Sequence, residues 1–168
     1  MEATTMEFEV RRLTESDARA YRDIRLEALE EYPEAFQATY ESALDLPLEA
    51  YAVRMQMYAL FGGFIDGELA GFLGFTPLRN PKIAHKGVMW GMYVRPAGRG
   101  SGLAEAMVRK ALEHARDHVE QVLISVITDN ARARRFYEKM GFEPYGVEPR
   151  ALKIGGKYYD EEFRVKML

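Results

Sequence analysis

Residues 7–13 (EFEVRRL) alternate apolar and polar side chains with a period of two, the pattern of a half-buried strand. The period then changes. Ala20, Ile24, Ala28 and Leu29 recur at helical spacing, predicting a helix capped by Ser16 or Asp17 and stopped before Pro33. Residues 32–49 keep no sustained period and read as irregular or short-helical chain, with a second helix following to about Gln56. Residues 59–78 (ALFGGFIDGELAGFLGFTPL) alternate on both sides of Asp66-Gly67, a dipeptide that predicts a two-residue hairpin turn. Residues 86–94 (KGVMWGMYV) are apolar almost throughout, as in a central strand covered on both faces. Leu103, Met107, Val108, Leu112 and Ala115 predict a helix over 102–117. Residues 119–128 (VEQVLISVIT) read as another buried strand. Residues 130–141 (NARARRFYEKMG) read as a short helix closed by Gly141. Two strand-like stretches, FEPYGV and EEFRVKML, end the chain. Strands early and late with helices crossing between them predict an α/β fold, a mixed sheet with helices on both faces. No repeat or linker divides the 168 residues, so a single domain over 1–168 is expected, with 1–6 a flexible N-terminus.

Composition narrows the classes. Hydrophobic content of 48% with 12% aromatics suits a globular domain. No apolar run approaches the ~18 residues of a membrane span, and the start MEATTMEFEV lacks a basic and apolar leader. Cytoplasmic residence is therefore expected, without membrane partners. Cysteine is absent, which excludes disulfides, thiolate metal sites and a cysteine intermediate. No metal is expected. A net charge of −3 argues against a nucleic-acid surface. The charge is uneven, though: residues 1–60 carry −7, whereas 95–118 and 129–141 each carry +2.

The first positive island contains VRPAGRGSGLAEAMVRKAL (94–112), a strand end, a glycine-rich turn and a helix start. The first amides of a helix have no internal partners, and the helix dipole adds partial positive charge. Glycines let backbone approach an anion closely, and Arg99 adds a fixed charge. Arg99, Gly100, Ser101, Gly102, Leu103 and Ala104 together suit a pyrophosphate. The Lys-Ser/Thr of a nucleoside-triphosphate loop is missing, and Gly98-x-Gly100-x-Gly102 has the wrong spacing for a dinucleotide fingerprint.

YVRPAGRGSGLA resembles the acyl-CoA-binding motif of the GNAT superfamily of N-acetyltransferases, in which Arg/Gln-x-x-Gly-x-Gly/Ala opens a helix. Arg99, Gly102 and Ala104 fall on its positions. NARARRFYEKMGF (130–142) resembles the family's second motif at Asn130, Ala133, Phe136, Tyr137, Lys139, Gly141 and Phe142. The resemblance spans roughly residues 7–168. It implies a single GNAT-like domain with a mixed, mostly antiparallel sheet of six to seven strands. It implies acetyl-CoA as co-substrate, its pantetheine held between splayed strands at 86–94 and 119–128. Backbone at Met92, Tyr93 and Val94 would bond that arm, residues 99–104 would hold the pyrophosphate, and Asn130 would support the pantetheine side. Arg134 or Arg135 would be in reach of a 3′-phosphate. A homodimer is also compatible with the family.

The implied reaction is direct attack of a primary amine of a small molecule or peptide on the thioester. The alternative is a non-catalytic acyl-CoA-binding or sensing domain of the same fold. An amide near Met92, at the strand bulge typical of the family, would stabilise the oxyanion, and Tyr137 matches the family's general acid. At pH 7 a lysine-like amine costs about 4.6 kcal/mol to deprotonate and an α-amine about 1.4 kcal/mol. Many relatives place a Glu on the strand before the turn as base, but VMWGMYV has no carboxylate. His85 and Glu148 are the remaining candidates, beside a chain of waters. The acceptor would meet loops at 32–49 and about 146–162. Glu34, Glu41, Asp45 and Glu49 with Tyr32, Phe36 and Tyr40 make the first of these suited to a cationic amine.

Overall fold

A computed structural model describes residues 6–168. Of the expected flexible segment, residues 1–5 lie outside the described residues. The chain forms one seven-stranded sheet, of order β1-β2-β3-β4-β5-β7-β6. The strands are β1 (Phe8–Arg12), β2 (Ala59–Ile65), β3 (Glu68–Pro77), β4 (Lys86–Val94), β5 (Gln121–Ile127), β6 (Glu143–Ile154) and β7 (Lys157–Met167). Every neighbouring pair is antiparallel except β4–β5. The helices are α1 (Ala18–Glu31), α2 (Tyr40–Leu44), α3 (Leu48–Met57), α4 (Leu103–Arg116) and α5 (Ala131–Lys139). The expected α/β sheet, with helices on both faces, is the one found.

Two cores lie on the two faces. Tyr21, Ile24, Tyr51, Leu60 and Phe72 pack beneath α1 and α3 on one face. Phe61, Leu73, Leu103, Met107 and Val122 pack beneath α4 on the other. The first residue of α4, Leu103, is fully buried. It sits where a Cβ on Gly63 of β2 would come within 2.5 Å of its side chain. This close approach presses the start of α4 onto the sheet and fixes where the glycine-rich turn stands.

Several local expectations are revised. The buried stripe of α1 runs through Ala18, Tyr21, Ile24, Arg25 and Ala28, and Ala20 is exposed. Asp17 does not cap α1 through its own first turn. Its carboxylate reaches back to the Thr14 amide at 2.8 Å and takes both Arg11 Nη1 and Nη2 at 2.9 Å. Residues 146–162 are not a loop: β6 and β7 run on as a long hairpin closed by Gly155 and Gly156, both at positive φ. Asp66 and Gly67 make the expected tight turn, with φ of 50° and 79°.

Two features of β4 position the site. β4 pairs with β5 only at Lys86↔Gln121, Gly87↔Val122 and Val88↔Leu123, and beyond them the parallel ladder stops. In addition, Phe72 pairs with Tyr93 and Gly74 with Trp90, so Leu73 alone faces both Gly91 and Met92. This is a β-bulge, and Gly91 takes the φ of 69° that it requires. Side chains therefore switch phase: Trp90 and Tyr93 join the α1/α3 core, whereas Met89, Met92 and Val94 join the α4 core.

Candidate active site

A cavity of about 400 Å³ opens where β4 has lost its β5 partner. Met92, Tyr93, Val94, Arg99, Gly100, Gly102, Ala104, Asn130 and Tyr137 all line it. Ser101 and Leu103 do not, for a physical reason in each case. The Ser101 hydroxyl donates to Gly98 O at 2.6 Å and accepts from Leu103 N at 3.3 Å, bracing the turn from inside. The Leu103 side chain is committed to the core. Gly100 and Gly102 have φ of 76° and 90°, and, chain neighbours aside, an added Cβ would meet nothing within 4 Å at Gly100 and only Phe8, at 3.9 Å, at Gly102. The turn thus presents bare backbone and the start of α4 to the cavity, a concavity suited to an anion.

The Arg99 side chain is already engaged. Its Nη2 pairs with Glu31 Oε1 at 2.7 Å and its Nε donates to Val94 O at 3.0 Å. Tyr93 Oη donates to Glu31 Oε2 at 2.7 Å. The Tyr93 hydroxyl and then Arg99 hold the Glu31 carboxyl down, to about 2. Arg99 therefore offers an anion mainly its backbone, and its guanidinium ties the turn to the end of α1.

Helix α5 forms the opposite wall. Asn130 caps it, its Oδ1 accepting from Ala133 N at 3.0 Å. Arg134 Nη2 pairs with Glu162 Oε2 at 3.2 Å, and Arg164, itself buried, shares that carboxylate. Arg134 is thereby a tether between α5 and β7. Arg135 is exposed and does not line this cavity, whereas Arg132, not singled out from sequence, does. The Tyr137 hydroxyl makes no hydrogen bond among the described residues, and burial pushes its pKa up, so it stays protonated.

A second cavity, of about 510 Å³, lies against the α1/α3 side of β4 and β5. It shares only Ala35 and Phe36 with the first, and the two divide β4 at the Gly91–Met92 step. Arg25, Arg54, Tyr58, Trp90, Ser125 and Glu161 are among its lining residues. Of the aromatics in the predicted acceptor loop, Phe36 lines both cavities, Tyr32 lines the first and Tyr40 neither. Glu34, Glu41, Asp45 and Glu49 line neither, so that loop does not give the cavity an acidic wall. His85 stands at the far end of β4, and Glu148, exposed on β6, faces Glu161 across the hairpin. Neither lines either of these two cavities. Glu161 does: its Oε1 accepts from Ser125 Oγ at 3.4 Å, and burial, aided by nearby Glu148, pushes its pKa up. Strand alternation could have found it, because Glu162 and Arg164 face α5 and place Glu161 on the other side.

Comparison with known proteins supplies a family. The model of the acetyltransferase (GNAT) family matches residues 21–142. The L-amino acid N-acetyltransferase of Escherichia coli is 28% identical over 105 residues, 61% of this chain and 64% of that protein. The chain thus spans less than two thirds of that relative's length. An acetyltransferase of the GNAT family from Streptococcus pneumoniae superposes with a TM-score of 0.86 at 20% identity, covering 96% of this chain and 100% of that one. A Salmonella typhimurium protein solved with its cofactor acetyl-CoA superposes with a TM-score of 0.79 at 20% identity, covering 96% and 94%.

Proposed function

The chain belongs to the GNAT acetyltransferase family, and from that premise we propose that it transfers an acetyl group from acetyl-CoA to a primary amine. The observation that carries this reading is the pair of cavities meeting at the β4 bulge, one walled by bare turn backbone and the other by polar side chains. The first fits acetyl-CoA. Its pyrophosphate would lie on the turn and the start of α4. Its pantetheine would run along the edge of β4 that β5 leaves open, bonding backbone at Met92–Val94 as an added strand does. The thioester would then reach the bulge, where an amide freed from the ladder can donate to the oxyanion.

The second cavity would deliver the amine to the same point. Glu161 is the carboxylate placed to take its proton, and a raised pKa brings it nearer the working pH of a general base. The N–C bond forms, the C–S bond breaks, and the departing sulfur accepts a hydrogen bond and then a proton from Tyr137. With thiol and phenol pKa values near 8.5 and 10, full transfer is uphill by about 2 kcal/mol at unshifted values. That is a small share of the ~16 kcal/mol barrier of an ordinary turnover. Burial enlarges the gap, so Tyr137 contributes most as a donor while the C–S bond is breaking.

The test is acetyl-CoA-dependent thiol release against polyamines, aminoglycosides, amino acids and peptides, with the wild type beside Gly102→Val. The name of the Escherichia coli relative is a reason to include L-amino acids. Release with one amine class is expected. Gly102→Val, which forces a β-branched residue to positive φ at the turn, should weaken acetyl-CoA binding roughly tenfold or more. No release from folded protein that binds acetyl-CoA would leave a sensing domain instead.

A further inference from the structure

Residues 1–60 are strongly acidic, yet the second cavity receives two of their few cations. Arg25 projects from the buried stripe of α1 and is only 6% exposed. Arg54, from α3, lines the same cavity. Among the described residues neither makes an ion pair, although nine pairs form elsewhere. Neither makes a side-chain hydrogen bond of normal geometry. The buried Tyr21 hydroxyl, likewise without a partner at that geometry, stands beside both, and their charges work against the burial that raises its pKa. Burying a guanidinium without a counter-charge is costly, and folded chains ordinarily supply a carboxylate. The one carboxylate among the described residues lining this cavity, Glu161, pairs with neither and is bonded to Ser125 instead.

We propose that Arg25 and Arg54 bind the carboxylate of the acceptor, so that the amine acetylated is that of a free amino acid. The inference rests on the transferase reading and names its acceptor class. The cavity has two poles: guanidiniums from α1 and α3, and a carboxylate from β7 close to the bulge of β4. A zwitterion matches both, its carboxylate on the arginines and its ammonium toward Glu161. Trp90, Tyr58 and Phe36 supply an apolar wall for a side chain. Two planar forks converging on one carboxylate are the geometry in which arginine surpasses lysine. A peptide N-terminus or a polyamine presents no such anion at this distance from its amine and would leave both guanidiniums unpaired.

Thiol release with L-leucine, L-leucinamide and L-leucine methyl ester decides the matter. A carboxylate beside an amine holds on to the ammonium proton, so amine basicity alone makes the amide and ester the better nucleophile sources at neutral pH. A preference for the free acid therefore has to come from the protein. We expect kcat/KM to favour L-leucine over the amide by about 10- to 100-fold, the range for hydrogen bonds to a charged group. The ratio should fall toward one in Arg54→Gln, mostly through the KM for L-leucine. Arg25→Lys should retain part of the preference that Arg25→Met loses. Release with amide and ester equal to or faster than the acid would overturn the carboxylate site and leave the transferase intact.

If no amine supports release, the transferase reading fails, and calorimetry with N-acetyl-L-leucine and its amide tests the arginines without turnover. Binding of the acid alone, weakened in Arg54→Gln, would sustain the site. Equal binding of acid and amide, or binding of neither, would overturn it.

Discussion

Tyr137 is a residue whose chemistry and packing coincide. It stands edge-on to Phe136 and Phe142 with ring centroids 5.2 and 5.6 Å away, yet its hydroxyl has no protein partner among the described residues. Tyr137→Phe keeps the packing and removes the donor. We expect kcat to fall by about 10²-fold, with acetyl-CoA affinity preserved. Unchanged turnover would remove Tyr137 from the reaction. Asp17 answers to pH instead. Arg11, and then the Thr14 amide, hold its carboxyl below its ordinary value against the desolvation that raises it. A folded-state pKa below the unfolded one adds stability above the unfolded pKa, and that stability is lost as pH falls through the folded one. Urea midpoints of Asp17→Asn should therefore lie below wild type at neutral pH and converge with it as pH falls through and below the ordinary carboxylate range. A gap independent of pH would show that the ion pair contributes nothing. Tyr137, Asn130 and the turn glycines were legible because each motif occupies one unbroken stretch of chain. Arg25, Arg54 and Glu161 were not, because three distant elements bring them together. One signal existed: a charged residue on the stripe of Tyr21, Ile24 and Ala28 is out of place unless something in the fold needs it.

Among the elements, β4 shows best what pattern can and cannot tell. Its apolar run announced a central strand, and a central strand it is. The resemblance implied that β4 and β5 splay apart, but nothing in KGVMWGMYV itself showed that the ladder would stop after three pairs, since ladder length depends on where β5 diverges. The bulge near Met92 was implied by the family resemblance alone, because it exists only in register with Leu73 and no pattern within β4 betrays it. Gly91→Ala tests it. The new Cβ would meet only Phe72 Cε2, at 3.5 Å, so the penalty is one of backbone conformation rather than collision. We expect a loss of about 1–2 kcal/mol in chemical denaturation, and a larger proportional loss of turnover. Full stability would mean that β4 re-registers freely. The last hairpin erred in the other direction. Residues 146–162 looked like a loop because Pro149, Gly155 and Gly156 punctuate them, but register shifts around Glu148–Leu152 absorb the interruption and the strands continue.

Across the molecule, fold class and strand count followed from periodicity and from the two motifs, and the face each helix covers did not. The sheet divides two apolar cores, with α1 and α3 over one and α4 over the other. The two cavities inherit that division. They are walled by different helices, and only Ala35 and Phe36 belong to both. Neither ligand has to vacate its chamber before the other arrives. Double-reciprocal plots at several fixed acceptor concentrations should therefore intersect rather than run parallel. Free CoA should compete with acetyl-CoA, and the acetylated product with the amine. Parallel lines would mean that the acetyl group rests on the protein between two half-reactions, in a chain that has no cysteine to carry it. For the proposed transferase, a gap between two strands of a sheet would thus dictate an order of events: both reactants aboard before either product leaves.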